Sequence, residues 1–127
     1  MTSTELIVCT TCRPIGADRS QPAAGQALFD AVQRLRPAAD ARLVVRGAAC
    51  LSGCTRACTV ALQAAGKHTY FFGDLAGDAQ TAAQVLECAR LHAGSADGLL
   101  ARGDRPERLR SGILMRLPPL SAQPDGV

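Results

Sequence analysis

The apolar positions of this chain fall into short runs whose spacing changes from one run to the next. Thr4 to Val8 is mostly apolar, partly β-branched and short, which predicts a buried strand ending in Leu6-Ile7-Val8. Arg13 to Gly25 carries Pro14, Gly16, Pro22 and Gly25, so it reads as a loop. From Gln26 to Leu35 the apolar residues Ala27, Leu28, Ala31, Val32 and Leu35 recur at three-to-four spacing, which predicts a helix that stops before Pro37. Leu43-Val44-Val45, within Arg42 to Arg46, predicts a second strand. Thr59 to Ala64 and Thr69 to Phe72 predict two more, joined by the hairpin turn Ala65-Gly66-Lys67-His68, in which glycine supplies a positive φ. Asp78 caps a second predicted helix running to about Leu91, with Ala82, Val85, Leu86 and Ala89 as its inward stripe.

The order strand, helix, strand, hairpin, helix predicts an α/β domain with a four-stranded mixed sheet and flanking helices over residues 1–93. Residues 94–127 change character and read as an extension rich in Gly, Pro and Arg. Within it, Pro106 to Leu114 predicts a helical turn or two, with Asp104 as cap and Pro106 in the first turn. Leu109, Ile113, Leu114 and Leu117 are placed to dock that segment, and Ser121 to Val127 is expected to be disordered.

A chain of 127 residues makes one domain with a modest core. Phe29, Tyr70, Phe71 and Phe72 are its only aromatics, so aliphatic side chains and alanine must build that core. The net charge of +3 is mild and the arginines are scattered. The C-terminal set Arg102, Arg105, Arg108, Arg110 and Arg116 lacks interleaved aromatics, so nucleic-acid binding is not expected. No apolar stretch approaches the roughly 20 residues that span a bilayer, and Met1 to Glu5 shows no secretory pattern. The chain therefore reads as cytoplasmic, where structural disulfides have little use.

That setting matters for the cysteines. Five of six fall into two tight clusters, Cys9-x2-Cys12 and Cys50-x3-Cys54-x3-Cys58. Thiolates about 2.3 Å from a tetrahedral centre must come from short bent segments, so that two sulfurs of one loop face two of another. Both clusters sit at predicted strand ends, where backbone amides are free to point at sulfur. Spacing alone does not separate zinc from an iron–sulfur cluster, since four thiolates suit both. The set Cys50, Cys54 and Cys58 also has the i, i+4, i+8 spacing of a helix face, but Gly53 and the β-branched Thr55, Thr59 and Val60 argue against a continuous helix. Cys9-Thr10-Thr11-Cys12 after a strand is in addition a dithiol pattern, although Pro14 and Gly16 delay the helix that would lower a thiol pKa. Cys88, between Val85 and Leu91 on a helix, reads as a structural thiol, and His68 and His92 as solvated or, for His92, dipole-stabilised. Arg13, Arg46 and Arg56 flank the cysteine loops, either as ordinary surface or as a basic rim offsetting an anionic cluster. No Ser/His/Asp set, paired carboxylates or phosphate-cradling loop is present, so the chemistry left is electron, thiol or metal handling without a catalytic residue.

The central cluster resembles that of the thioredoxin-like [2Fe-2S] ferredoxins. Cys50-Leu51-Ser52-Gly53-Cys54 is similar to that family's Cys-Leu-Gly-x-Cys loop, and Tyr70-Phe71-Phe72-Gly73-Asp74-Leu75 to its Tyr-Tyr-Gly-Asp-Leu run before the last helix. The resemblance covers about Thr4 to His92. It implies a thioredoxin-like fold, a [2Fe-2S] cluster on Cys9, Cys12, Cys50 and Cys54, one-electron transfer between redox partner proteins, and a homodimer. This chain departs from the family in spacing its first pair by two residues instead of four or more. It also carries Cys58 where proline is common, which leaves Cys58 as a reserve ligand. The whole chain, from Val8-Cys9-Thr10-Thr11-Cys12-Arg13 to Pro118-Pro119, also resembles small bacterial proteins described only as predicted metal-binding, often associated with cobalamin-synthesis genes. A zinc- or cobalt-binding structural or metallochaperone module using the same thiolates is the alternative, and dithiol exchange at Cys9 and Cys12 a third reading.

Overall fold

The computed structural model describes residues 3–36 and 41–120. Strand β1 (Thr4–Cys9) leads through a long loop to helix α1 (Ala24–Leu35) and then to β2 (Leu43–Ala48). A loop with one 3₁₀ turn at Cys54–Arg56 precedes the hairpin β3 (Val60–Gln63) and β4 (Thr69–Phe72). Helix α2 (Ala79–Gly94), two 3₁₀ turns and β5 (Ile113–Leu117) complete the described chain. Among the described residues the strands form one mixed sheet in the order β2-β1-β3-β4-β5.

The period-two pattern of the strands builds the core. Leu6 and Val8 of β1, Val60 and Leu62 of β3, and Tyr70 and Phe72 of β4 are buried with Leu28 and Val32 of α1 and Val85, Leu86 and Ala89 of α2. Both helices pack on each other and on β1 and β2. The predicted helices and first four strands are present with ends shifted by a few residues. Asp78 caps α2 as expected, its carboxylate accepting the Thr81 N–H at 2.7 Å. The turn of the β3–β4 hairpin places Gly66 at φ +75°.

The extension differs from expectation. Of the helical turn or two expected over Pro106–Leu114, one 3₁₀ turn forms at Glu107–Leu109, preceded by another at Arg102–Asp104, and Ile113–Leu117 forms a fifth strand, so the sheet has five strands where four were predicted. Gly112, at φ +80°, breaks the helical course. The free edge of β4 then offers a ladder, with Thr69 opposite Leu117 and Phe71 opposite Met115. Leu109 docks as expected, fully buried, whereas Ile113 and Leu117 stay exposed on the edge strand. The expectation for Ser121–Val127 lies outside the described residues.

His92 also departs from expectation, for it is wholly buried. Its Nδ1 lies 2.8 Å from the Thr4 hydroxyl and its Nε2 2.7 Å from the His68 carbonyl, which requires the proton on Nε2 and leaves Nδ1 as acceptor. Lys67, also buried, donates through Nζ to the His92 and Ala93 carbonyls at 3.0 and 2.8 Å, closing the C-terminal end of α2. These contacts tie the start of β1, the hairpin and α2 together with polar bonds.

Burial, followed by the nearby Lys67 charge, holds the His92 imidazole below its ordinary value of 6.5 despite its bond to the His68 carbonyl. The folded chain therefore binds fewer protons at this ring than the unfolded chain. Stability is full above about pH 6.5 and is lost as pH falls below it, with a slope of at most about 1.4 kcal/mol per pH unit for one proton. Urea unfolding at stepped pH should show this slope in the parent and not in His92→Gln.

Candidate metal centre

The sheet register gathers the cysteines. Cys9, the last residue of β1, stands opposite Ala48 of β2, two residues before Cys50. The Cys9 N–H bonds the Thr59 carbonyl at 3.1 Å, so the residue after Cys58 lies against the same strand end. The loop after β1 is sewn to the loop after β2 as well. Thr10 bonds the Ala48 carbonyl through both its N–H and its hydroxyl, and the Thr11 hydroxyl donates to the Ala49 carbonyl. The loops that carry the five clustered cysteines thus lie at one end of the sheet.

Their surroundings are graded. Cys9, Cys12 and Cys58 are 1%, 4% and 0% exposed, whereas Cys50 and Cys54 face solvent. Cys50 Sγ lies 3.9 Å from Cys54 Sγ. That separation is close to about 3.8 Å, the edge of a tetrahedron with bonds of roughly 2.3 Å. Ser52, at φ +64°, turns the chain between them, and its N–H donates to Cys50 Sγ at 3.3 Å. As Gly53 and the β-branched neighbours lead one to expect, no continuous helix aligns Cys50, Cys54 and Cys58; only the 3₁₀ turn at Cys54–Arg56 forms. The Cys9 thiol lies 3.9 Å from the Thr11 hydroxyl, and Cys12 and the Leu51 amide of the opposite loop are near enough to shift its proton affinity. The Cys12 thiol lies 3.5 Å from the Thr59 hydroxyl.

Proton affinities follow this grading. Burial pushes Cys9 up, but hydrogen bonds from Cys12 and from the Leu51 and Thr11 amides outweigh it and leave the thiol below its ordinary value. Burial raises Cys12, and its bond to Cys9 adds to this. Cys54 is raised by its hydrogen bond with Cys50 and by that neighbour's charge. Cys58 is pushed up to about 11, first by burial and then by the charges of Cys12 and Cys9. A cation bound among these sulfurs would relieve the repulsion within each pair and release protons. Among the five clustered thiols, Cys58 is the one held most firmly in its neutral form.

The donor set fits a thiolate-ligated metal or cluster: sulfur from two loops, with backbone amides aimed at it and no carboxylate among the groups that perturb these thiols. The thiols stand as two pairs, Cys9 with Cys12 and Cys50 with Cys54. Among the described residues no three His, Cys, Asp or Glu side chains are gathered around one point that would hold an ion. Dithiol exchange at Cys9 and Cys12 is poorly served, because both sulfurs are shielded and α1 begins only at Ala24.

The flanking arginines divide. Arg56 pairs with Asp74, donating through Nε at 2.9 and 3.0 Å and also through Nη2, and Arg46 pairs with Glu5 at 3.1 Å. Arg13 donates to the Gln21 carbonyl at 2.6 Å. Sequence reasoning did not single out the Thr11 and Thr59 hydroxyls, the Ser52 amide or Gly25. The signal for the threonines was their place beside cysteines; for Gly25 there was none, because its partner is distant backbone.

The chain matches, over residues 6–119, the model of a family described as a protein of unknown function (DUF1636). It belongs to that family. No curated protein matches it. Among solved structures, a thioredoxin-like [2Fe-2S] ferredoxin from Aquifex aeolicus aligns with 98% of this chain and 97% of its own, at a TM-score of 0.55 and 16% identity. This member of the family therefore has a thioredoxin-like fold, and the extension that supplies β5 lies within the aligned length.

Gly25 is what allows α1 to press its first turn against the cysteine loop. Its N–H bonds the Cys12 carbonyl at 3.0 Å, and a Cβ built there would lie 2.0 Å from the Cys9 carbonyl oxygen. Backbone on both sides cannot yield. Gly25→Ala should cost about 3 kcal/mol or more, read as a lowered Tm, whereas Gly103→Ala, which meets nothing within 4 Å, should change Tm little.

Proposed function

We propose that this protein carries one electron between protein partners on a [2Fe-2S] cluster held by Cys9, Cys12, Cys50 and Cys54. The observation that carries this reading is the arrangement of the four thiols as two pairs on facing loops, in a fold shared with a ferredoxin. A single zinc ion asks for four sulfurs around one point, whereas a [2Fe-2S] cluster asks for two from each side. When bound, such a cluster supplies a one-electron redox centre.

The chain's own residues then have distinct tasks. Cys9 and Cys12, beneath the surface, exclude water from one side of the site. Cys50 and Cys54, in solvent, leave the other side within reach of a partner. The Leu51 and Ser52 amides donate to sulfur and favour its negative charge. Cys58 keeps its proton and packs against the ligands as a spare thiol.

Anaerobically purified protein should contain about two irons and two acid-labile sulfides per chain, with visible absorption that bleaches on reduction and an EPR signal that appears with it. Stoichiometric zinc without sulfide, persisting after reconstitution with iron and sulfide, would overturn the reading in favour of the structural metal module. Single Cys→Ser changes then assign the ligands. Cys50→Ser and Cys54→Ser should lose most of the visible absorption, and Cys58→Ser should keep it. Retention in Cys12→Ser together with loss in Cys58→Ser would replace Cys12 by Cys58 in the set.

A further inference from the structure

The loop between Cys12 and α1 lies beside the exposed Cys54. Arg13, Ile15 and Arg19 line a cavity of about 360 Å3 together with Cys54 and Thr55. Ile15 is 81% exposed at its mouth. The acidic side chain of this loop, Asp18, is turned onto Ser20, accepting from its N–H at 2.9 Å and its hydroxyl at 2.8 Å. Arg46 and Arg56 are neutralised by Glu5 and Asp74, but among the described residues no carboxylate lies within ion-pair reach of Arg13 or Arg19. The Arg13 guanidinium is held in place by the Gln21 carbonyl. Beside Cys54 the loop therefore carries two guanidiniums against one carboxylate, that of Asp18, which its Ser20 hydrogen bonds and then the Arg13 charge hold below its ordinary pKa, around a protruding aliphatic side chain.

Charges nearest a contact dominate its sign, because solvent ions screen those more than about 10 Å away at ordinary ionic strength. A centre of thiolates is itself anionic and would repel carboxylates; outermost guanidiniums reverse the field that an approaching surface meets first. Arginine and a large apolar side chain set together are also the composition of an interface core.

We infer that the Arg13–Ile15–Arg19 loop is the docking surface for the electron-exchange partner, and that this partner is a protein presenting carboxylates around an apolar recess that receives Ile15. The inference rests on the electron-carrier reading only for the partner's role; the sign and place of the surface are read independently of the bound metal.

The chain has three isoleucines, Ile7, Ile15 and Ile113, so methyl labelling of isoleucine gives one reporter at the surface in question and two elsewhere. In the purified protein, the paramagnetic anion hexacyanochromate(III) should broaden the Ile15 methyl signal before those of Ile7 and Ile113. The cation hexaamminechromium(III) should not, and the anion's effect should fade between about 0.02 and 0.5 M salt. Arg19→Glu should reduce the broadening several-fold. A glutamate-rich peptide with two central leucines should shift the Ile15 methyl at several-fold lower concentration than the same peptide with serines, and Ile15→Ser, followed by amide signals, should erase that preference. Preferential broadening of Ile15 by the cation, indifference to Arg19→Glu, or equal binding of the two peptides overturns the inference. Iron and sulfide analysis of the same sample judges the electron-carrier reading separately.

Discussion

Everything else in this molecule depends on how β1 is paired. It lies between β2, parallel, and β3, antiparallel, with Leu6 opposite both Val45 and Leu62. That register turns Leu6 and Val8 toward the helices and brings Cys9 level with Ala48 and Thr59. A slip of one residue would flip the apolar face outward and carry Cys9 away from the loop of Cys50. One backbone ladder thus sets the core and the site together.

The two ends of β1 are secured by different chemistry. At its start, Thr4 meets His92 and the hairpin through hydrogen bonds that leave no free valence on the imidazole. At its finish, Cys9 and Cys12 meet Cys50, Cys54 and Cys58 with few partners beyond one another, hydroxyls and amides. The polar network at the first end satisfies itself, and this is what a purely structural device does. The thiols at the second end are crowded, mutually perturbed and only partly bonded.

Exposure within that set follows from the loops that carry it. The first loop is pinned by α1, whose opening turn rests on the Cys9 and Cys12 backbone at Gly25, and so Cys9 and Cys12 are sealed. The second loop, sewn to the first at Ala48 and Ala49, passes outward at Ser52, so Cys50 and Cys54 are open. Cys58 returns to the head of β3 inside the sheet, its N–H and carbonyl both bonded to Leu75, and is buried. The same Gly73–Leu75 stretch provides Asp74 for Arg56, so that this flanking cation is already paired.

Local pattern determined what local physics controls. The three-to-four spacing of Leu28, Ala31 and Val32, the Asp78 cap, the β-branched runs and the two cysteine clusters each act within a few residues of themselves, so they are legible in one dimension. β5 was not, because Ile113–Leu117 becomes a strand only where β4 offers an edge. His92 was not, because its partners lie 24 and 88 residues away in sequence. Only the tertiary structure decided which thiols are sealed and which are open, which arginines are already paired, and that glycine is required at position 25, since each depends on backbone brought from a distant strand or helix.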